Sequence, residues 1–127
     1  MEANEKLNAG IGNLEPEKLA PKQVKVTGVR IDEVKDKDQK VIGEKATFIV
    51  KHPDREDSLE LSQTKYLKND KVESSGTWFN LDANKEVVKA SALAATMRHY
   101  GCNNLQSFIG RDIETTMDGA YLAIKAY

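Results

Sequence analysis

The chain has 127 residues, of which 39% are hydrophobic and 31% are charged. This composition predicts one small domain with a thin core and excludes two independently folded domains. The 19 basic and 20 acidic side chains nearly cancel, which excludes a chain-wide basic field that would attract polyanions, so any nucleic-acid site has to be a local patch.

Cysteine usage and hydropathy indicate the compartment. A lone cysteine, Cys102, excludes an intrachain disulfide framework and fits a reducing environment. No apolar run approaches the roughly 18 residues that a membrane span needs, and no signal-peptide hydrophobic region is evident. We therefore expect a cytoplasmic protein, in the host cell cytoplasm if it is viral, without a membrane partner.

The chain divides by composition near residue 22. Residues 1–22 contain Pro16 and Pro21 among scattered charges, with few large apolar side chains. This composition is typical of a flexible N-terminal arm. The remaining residues, 23–127, are expected to form the single domain.

Period-two alternation predicts strands in the first half of the domain. Apolar residues change parity between Val26 and Val29, which predicts a strand with a bulge at Gly28. The charged stretch 35–43 predicts a turn, and residues 46–50 alternate as a second strand. Together these segments predict a long hairpin.

The middle of the chain is predicted to hold two further strands. A polar loop at 52–57 precedes a strand from residue 59 toward residue 67. Turn-forming residues follow at 69–70 and 74–76, and the β-branched and aromatic stretch 77–81 predicts another strand.

Residues 14–19 could make one helical turn before Pro21, but a convincing helix is predicted only late in the chain. Ser91 is a candidate N-cap, Leu93 and Met97 lie four residues apart on a predicted core-facing stripe, and Gly101 is placed to end the helix. Asn103 or Asn104 can cap a second short helical turn that closes at Gly110. A closing hairpin follows over 113–126, with a type I′ turn predicted at Asp118–Gly119.

The order of these elements predicts the fold class. It is mainly β, an oligonucleotide/oligosaccharide-binding-like (OB-like) β-barrel with one short helix plus a helical turn inserted before the C-terminal β-hairpin.

One stretch of about half the chain resembles a known group of proteins. An aromatic strand at Trp78, a short helix ending in Gly101, the step Ile109–Gly110–Arg111 and a closing hairpin through Tyr121 follow one another. This pattern is similar to small phage and archaeal single-stranded-DNA-binding-type proteins with an OB-like barrel. The resemblance implies that fold, and binding of single-stranded DNA in replication or recombination.

Cations and aromatic residues are interleaved in the middle of the chain. Nonspecific binding of single strands needs a basic groove for phosphates and aromatic faces on which bases stack. The predicted nucleic-acid-binding residues are Trp78, Tyr66, Lys51, Arg55, Lys65, Lys68, Lys71 and Lys85.

Trp78 has two interpretations. Side chains alternate between the faces of a strand, so adjacent Trp78 and Phe79 cannot both point into the core. One of them has to be exposed or covered by a loop. The sequence leaves open whether Trp78 stacks on bases or packs in the core.

Other site chemistries lack their residues. The loop 52–57 offers one imidazole, and the next histidine is His99, so we expect no metal site. Cys102 lies three residues from His99, a spacing that helix geometry produces without a catalytic dyad. Phosphate-loop, dinucleotide-binding and zinc-protease motifs are absent. We expect no catalytic residues, no cofactor and no enzymatic activity.

The predicted function is therefore a non-catalytic binding module for single-stranded nucleic acid, DNA or RNA. The alternative is a protein-interaction or structural module, such as a viral accessory, inhibitor or virion protein, that acts through an exposed sheet edge. Either function is compatible with a homo-oligomer.

Overall fold

In the computed structural model, residue 10 and residues 19–127 are described, and this part of the chain is mainly β. It holds one α-helix, α1 (Ala92–His99), and one 3-10 helix (Leu105–Phe108). The strands are β1 (Val24–Lys35), β2 (Val41–Lys51), β3 (Leu59–Leu61), β4 (Gln63–Lys68), β5 (Lys71–Gly76), β6 (Asp112–Ile113), β7 (Thr115–Asp118) and β8 (Tyr121–Ala126).

The strands form two sheets, with orders β3-β2-β1-β6 and β5-β4-β8-β7. Only Ser62 separates β3 from β4, and only Glu114 separates β6 from β7, so these two continuous segments connect the sheets. The strands therefore follow one another around a ring. The β4–β8 pairing is parallel and the other strand pairings are antiparallel. With the helix inserted before the last hairpin, this confirms the predicted OB-like β fold.

The core lies inside the ring and under α1. Leu93 is fully buried and Met97 is 8% exposed, which confirms that this stripe of the helix faces the core. The ring of Phe48 on β2 meets Phe108 of the 3-10 helix edge to face, with 5.0 Å between the centroids. The other core side chains are Val24, Val26, Ala46, Val50, Leu61, Cys102, Ile113 and Ile124.

The first hairpin agrees with the sequence apart from its length. The β1–β2 register shifts between Val26 and Gly28, which confirms the bulge. The predicted turn 35–43 shrinks to 36–40, because the Asp36 carboxylate accepts the backbone N–H groups of Asp38 and Lys40 and closes a tighter loop. Both strands gain residues as a result.

Two predictions in the middle of the chain are wrong. Residues 74–76 are not a turn but the end of β5, which pairs with all of β4. The tight turn at Asn69–Asp70, where both residues have positive φ, aligns the two strands. Residues 77–81 make isolated bridges, Lys45 to Trp78 and Leu81 to Val87, instead of a strand.

The helix ends agree with the capping predictions. The hydroxyl of Ser91 accepts the N–H of Ala94 at 3.0 Å, and Gly101 has a φ of +66° just beyond the last turn. Asn104 is the residue that caps the 3-10 helix.

The closing hairpin forms, but its turn differs from the prediction. Asp118 pairs with Tyr121, so the two-residue loop is Gly119–Ala120. Gly119 has positive φ and Ala120 does not. This is the pattern of a type II′ turn, whereas type I′ needs positive φ at both positions.

The predicted arm, residues 1–22, lies mostly outside the described residues. Its end is described and contacts the barrel. The Thr115 hydroxyl donates to the carbonyl of Lys22 and accepts its N–H. Nε2 of the buried His52 lies 2.8 Å from the carbonyl oxygen of Ala20. In the described part of the chain, no helix is long and apolar enough to cross a membrane.

Candidate nucleic-acid interface

Strand β4 has one face toward the interior of the barrel and one face on its outer surface. Thr64 is fully buried, and its hydroxyl oxygen lies 2.8 Å from that of Thr96 on α1. Because side chains alternate along a strand, Gln63 and Lys65 lie on the outer face. Their cross-strand partners on β5, Gly76 and Ser74, lie on the same face.

Trp78 lies on this outer surface, whereas Phe79 packs against the core. The bridge between Trp78 and Lys45 places both side chains on the outer side of β2, and the Lys45 ammonium lies 4.7 Å from the centre of the indole ring. The expectation that Trp78 and Phe79 cannot both face inward is therefore confirmed. Trp78 remains half-buried.

Two glycines leave room for the indole ring. A Cβ atom at Gly43 would lie 2.9 Å from Cζ3 of Trp78, and one at Gly76 would lie 3.1 Å from Nε1. Side chains at either position would push the ring or Lys45 away. Trp78 therefore lies against the backbone of β2 and β5.

A polar network continues the face from β4 and β5 toward the closing hairpin. The carboxylate of Asp118 accepts a 2.5 Å hydrogen bond from the Ser74 hydroxyl and a 3.3 Å bond from the Gln63 amide. The Ser74 hydrogen bond is the main cause that lowers the pKa of Asp118, and Gln63 and the nearby charge of Lys65 lower it further. Asp118 is therefore ionised at neutral pH.

Tyr121 ends the face on the far side of the network. It is the cross-strand partner of Asp118 and is 80% exposed. β5 and β8 flank β4, so Gly76, which contacts Trp78, and Tyr121 are two strand spacings apart across the sheet, about 10 Å. The parallel β4–β8 register continues Gln63 to Ala123, so Tyr121 also lies two residues, about 7 Å, farther along the strand. We call this surface the Trp78–Tyr121 face: Gly43, Lys45, Gln63, Lys65, Ser74, Gly76, Trp78, Asp118 and Tyr121.

A cleft of about 560 Å³ adjoins this face. It opens between β3, which turns away to pair with β2, and the β7–β8 hairpin. Arg55, Gln63, Asp118 and Tyr121 line it over an apolar floor that includes Leu61. Arg55, from the β2–β3 loop, and Tyr121 therefore line the same cleft.

Comparisons with protein-family models, with curated proteins and with solved structures find no match for this chain.

The predicted site residues fall into separate groups. Trp78 and Lys65 lie on the Trp78–Tyr121 face, and Arg55 lines the adjoining cleft. A second group, Tyr66, Lys68 and Lys71, lines a small cleft of about 360 Å³ at the end of the β4–β5 hairpin.

The remaining two predicted residues lie elsewhere. Lys51 donates to the carbonyl of Glu56 within the β2–β3 loop. Lys85 lies beside a cleft formed with α1 and the 3-10 helix.

Sequence reasoning missed Lys45 and Tyr121. Lys45 precedes the predicted site residues, which run from Lys51 to Lys85. Tyr121 alternates with the core-facing Leu122 and Ile124, so strand parity was the signal that assigns it to the outer surface.

His99 and Cys102 have different surroundings in the structure. His99 is exposed and its ring packs against Tyr100, whereas Cys102 is buried, and burial raises the pKa of its thiol. Among residues 19–127, no three His, Cys, Asp or Glu side chains are grouped so that they could hold a metal ion.

Proposed function

We propose that this chain is a non-catalytic binding module that binds single-stranded nucleic acid on the Trp78–Tyr121 face. The observation that carries the proposal is the placement of two aromatic side chains, Trp78 and Tyr121, on one outer surface of an OB-like barrel, with Lys45 over the Trp78 ring and Lys65 on the outer face of β4. In OB folds, ligands bind across the second and third barrel strands and their neighbouring loops. Here β2 and the β3–β4 segment take those places.

Stacking is the main attraction in this proposal. Bases stack on aromatic rings whatever their sequence, but only when they are unpaired, so the face favours single strands over duplex. A base on Trp78 takes the place of the Lys45 ammonium, which then pairs with the adjacent phosphate. Lys65 and Arg55 supply further phosphate contacts.

The resemblance to single-stranded-DNA-binding-type proteins extends this proposal to DNA in replication or recombination. Fluorescence anisotropy with labelled oligo-dT and oligo-U, at about 50 mM salt, tests it. Three phosphate contacts, at about −0.7 each on single strands, predict a log–log salt slope near −2. Absence of binding at tens of micromolar protein contradicts the proposal.

Matched tyrosine variants locate the site. Tyr121 lies on the proposed face, whereas Tyr66 lies on the opposite side of β4. Tyr121→Ala should weaken binding about 5- to 150-fold, because stacking contributes roughly 1 to 3 kcal/mol per base. Tyr66→Ala should leave it nearly unchanged. The reverse result would move the site to the end of the β4–β5 hairpin.

A second candidate function is protein interaction through a sheet edge. β5 is the outermost strand of its sheet. The cross-strand pair Leu67 and Val72 on its outer face is 54% and 48% exposed. Exposed edges of this kind pair with other chains. Light scattering of the chain and of its Val72→Lys variant tests this function. Self-association that the lysine abolishes supports pairing through the β5 edge. If both proteins are monomers, pairing between copies is contradicted.

A further inference from the structure

A second cleft, of about 520 Å³, lies at the base of the barrel. The loop after β5, the end of α1 and the 3-10 helix enclose it. We call it the basal cleft; its apolar lining is Phe79, Leu81, Val87, Ala94, Met97, Cys102 and Leu105. Because Trp78 and Phe79 point to opposite sides of the same segment, the basal cleft is separate from the Trp78–Tyr121 face.

The wall of the basal cleft is held in place by its own hydrogen bonds. Leu81 and Val87 bridge across the loop. The Asp82 carboxylate accepts the backbone N–H groups of Asn84 and Glu86, at 2.8 and 3.1 Å. The cleft is therefore formed before any ligand arrives, which reduces the cost of binding.

Apolar surface at the mouth of the cleft is left uncovered. Leu81 is 47% exposed at the rim, and Leu105, Phe79 and Val87 are only half-buried. Single exposed leucines are ordinary, but here the exposed side chain continues into an apolar concavity. Such a concavity accepts an aliphatic or aromatic side chain.

The rim carries a positive charge. Lys85, Lys89 and Arg98 line the cleft, against one acidic residue, Glu86. A hydrogen bond of 3.0 Å from Nη1 of Arg98 to the carbonyl of Lys89 keeps the guanidinium beside the rim. Three cations spread along an open apolar cleft match several carboxylates on one chain better than the single charge of a fatty acid.

We propose that the basal cleft binds an acidic peptide segment of a partner protein, with an apolar side chain in the cleft and carboxylates on Lys85, Lys89 and Arg98. Grooves with apolar floors and arginine-containing rims recognise acidic amphipathic segments in this way. Nucleic acid fits less well, because the one aromatic residue in the lining, Phe79, is half-buried and packs against the core, which leaves it a poor platform for a base. This inference does not rest on the proposed function.

Selection from a phage-displayed library of short random peptides tests the inference, with the Leu81→Asp variant of the full chain used for counter-selection. We expect enriched peptides in which acidic residues flank leucine, isoleucine or phenylalanine. No enrichment over the counter-selection, or enriched peptides without acidic residues, would overturn the proposal.

Variants then locate the binding of the best peptide, labelled with fluorescein. Leu81→Asp and Arg98→Glu should each weaken binding at least about tenfold. Leu67→Asp, at a similarly exposed leucine on the outer face, and Lys71→Glu should change it by less than about twofold. Equal weakening by all four variants would contradict the proposal. If Leu81→Asp lowers the melting temperature, the peptide affinity of the Arg98→Glu variant tests the proposal instead, because Arg98 lies on the exposed surface of the helix.

Discussion

The hydroxyl oxygens of Thr64 and Thr96 lie 2.8 Å apart, and both side chains are fully buried. This bond connects the barrel wall to α1. Thr96 also donates to the carbonyl of Ala92, and Thr64 lies 3.4 Å from the carbonyl of Ile124. The helix is therefore fixed to the strand that separates the core from the proposed binding face.

Each single threonine replacement should lower the free energy of unfolding by more than half of what the double replacement lowers it. Thr96→Val leaves the Thr64 hydroxyl without its side-chain partner, and we expect a loss of about 1 to 3 kcal/mol. The double variant Thr64→Val/Thr96→Val removes both polar groups and should lose less than the sum of the singles. Urea titrations of the four proteins give the coupling free energy. Strict additivity would contradict a direct bond.

Leu93→Ala should destabilise the chain by about 2 to 5 kcal/mol, because it leaves a cavity between α1 and the barrel. Leu67→Ala is the matched control, since Leu67 is 54% exposed and Leu93 is fully buried. Equal denaturation midpoints for the two variants would show that α1 is peripheral to the core.

Residues 19–22 should contribute measurable stability. The N–H of Asp54 donates to Nδ1 of His52, so the ring proton is on Nε2 and is donated to the Ala20 carbonyl. Deletion of residues 2–22 leaves this buried N–H without its partner. We expect it to cost about 1 to 3 kcal/mol more than deletion of residues 2–18. Identical midpoints would contradict docking of this segment.

Asp118 should titrate below the usual aspartate pKa, about 3.9, with the Ser74 hydroxyl as the main cause. A carboxyl with a lowered folded-state pKa stabilises the fold above its unfolded-state pKa, and this contribution is lost as the pH falls through the lowered value. Ser74→Ala should raise the pKa of Asp118, measured by carboxyl NMR titration. An unchanged pKa would show that the hydrogen bond does not form in solution.

The alternation of apolar and polar residues predicted strands only where one face of the strand is buried. Along 46–50, Phe48 and Val50 are buried inside the barrel, so the pattern is visible in the sequence. β5 has four exposed residues in succession, 71–74, and therefore shows no pattern. Its position follows from the Asn69–Asp70 turn and from the pairing with β4. The residues of β5 alone do not predict that pairing.

The candidate site was harder to predict because it is assembled by topology. Residues that are neighbours along the chain, such as Tyr66 and Lys68, were predicted to share one site with Lys65. In the structure, Tyr66 and Lys65 lie on opposite faces of β4. Lys45 and Tyr121 come onto the same face as Trp78 only after β2 and β8 have paired with their neighbours. Capping residues such as Ser91 could be predicted because their partners lie within one turn.

The fluorescence of Trp78 tests the proposed function most directly. The chain contains one tryptophan, so its intrinsic emission reports on Trp78 alone. Titration with unlabelled oligo-dT should quench this emission in a saturable manner, and the quenching should weaken with added salt. Gly43→Ala, which displaces the ring, should reduce both quenching and affinity. Oligonucleotide binding seen by anisotropy with unchanged Trp78 emission would contradict the assignment of the Trp78–Tyr121 face as the nucleic-acid site.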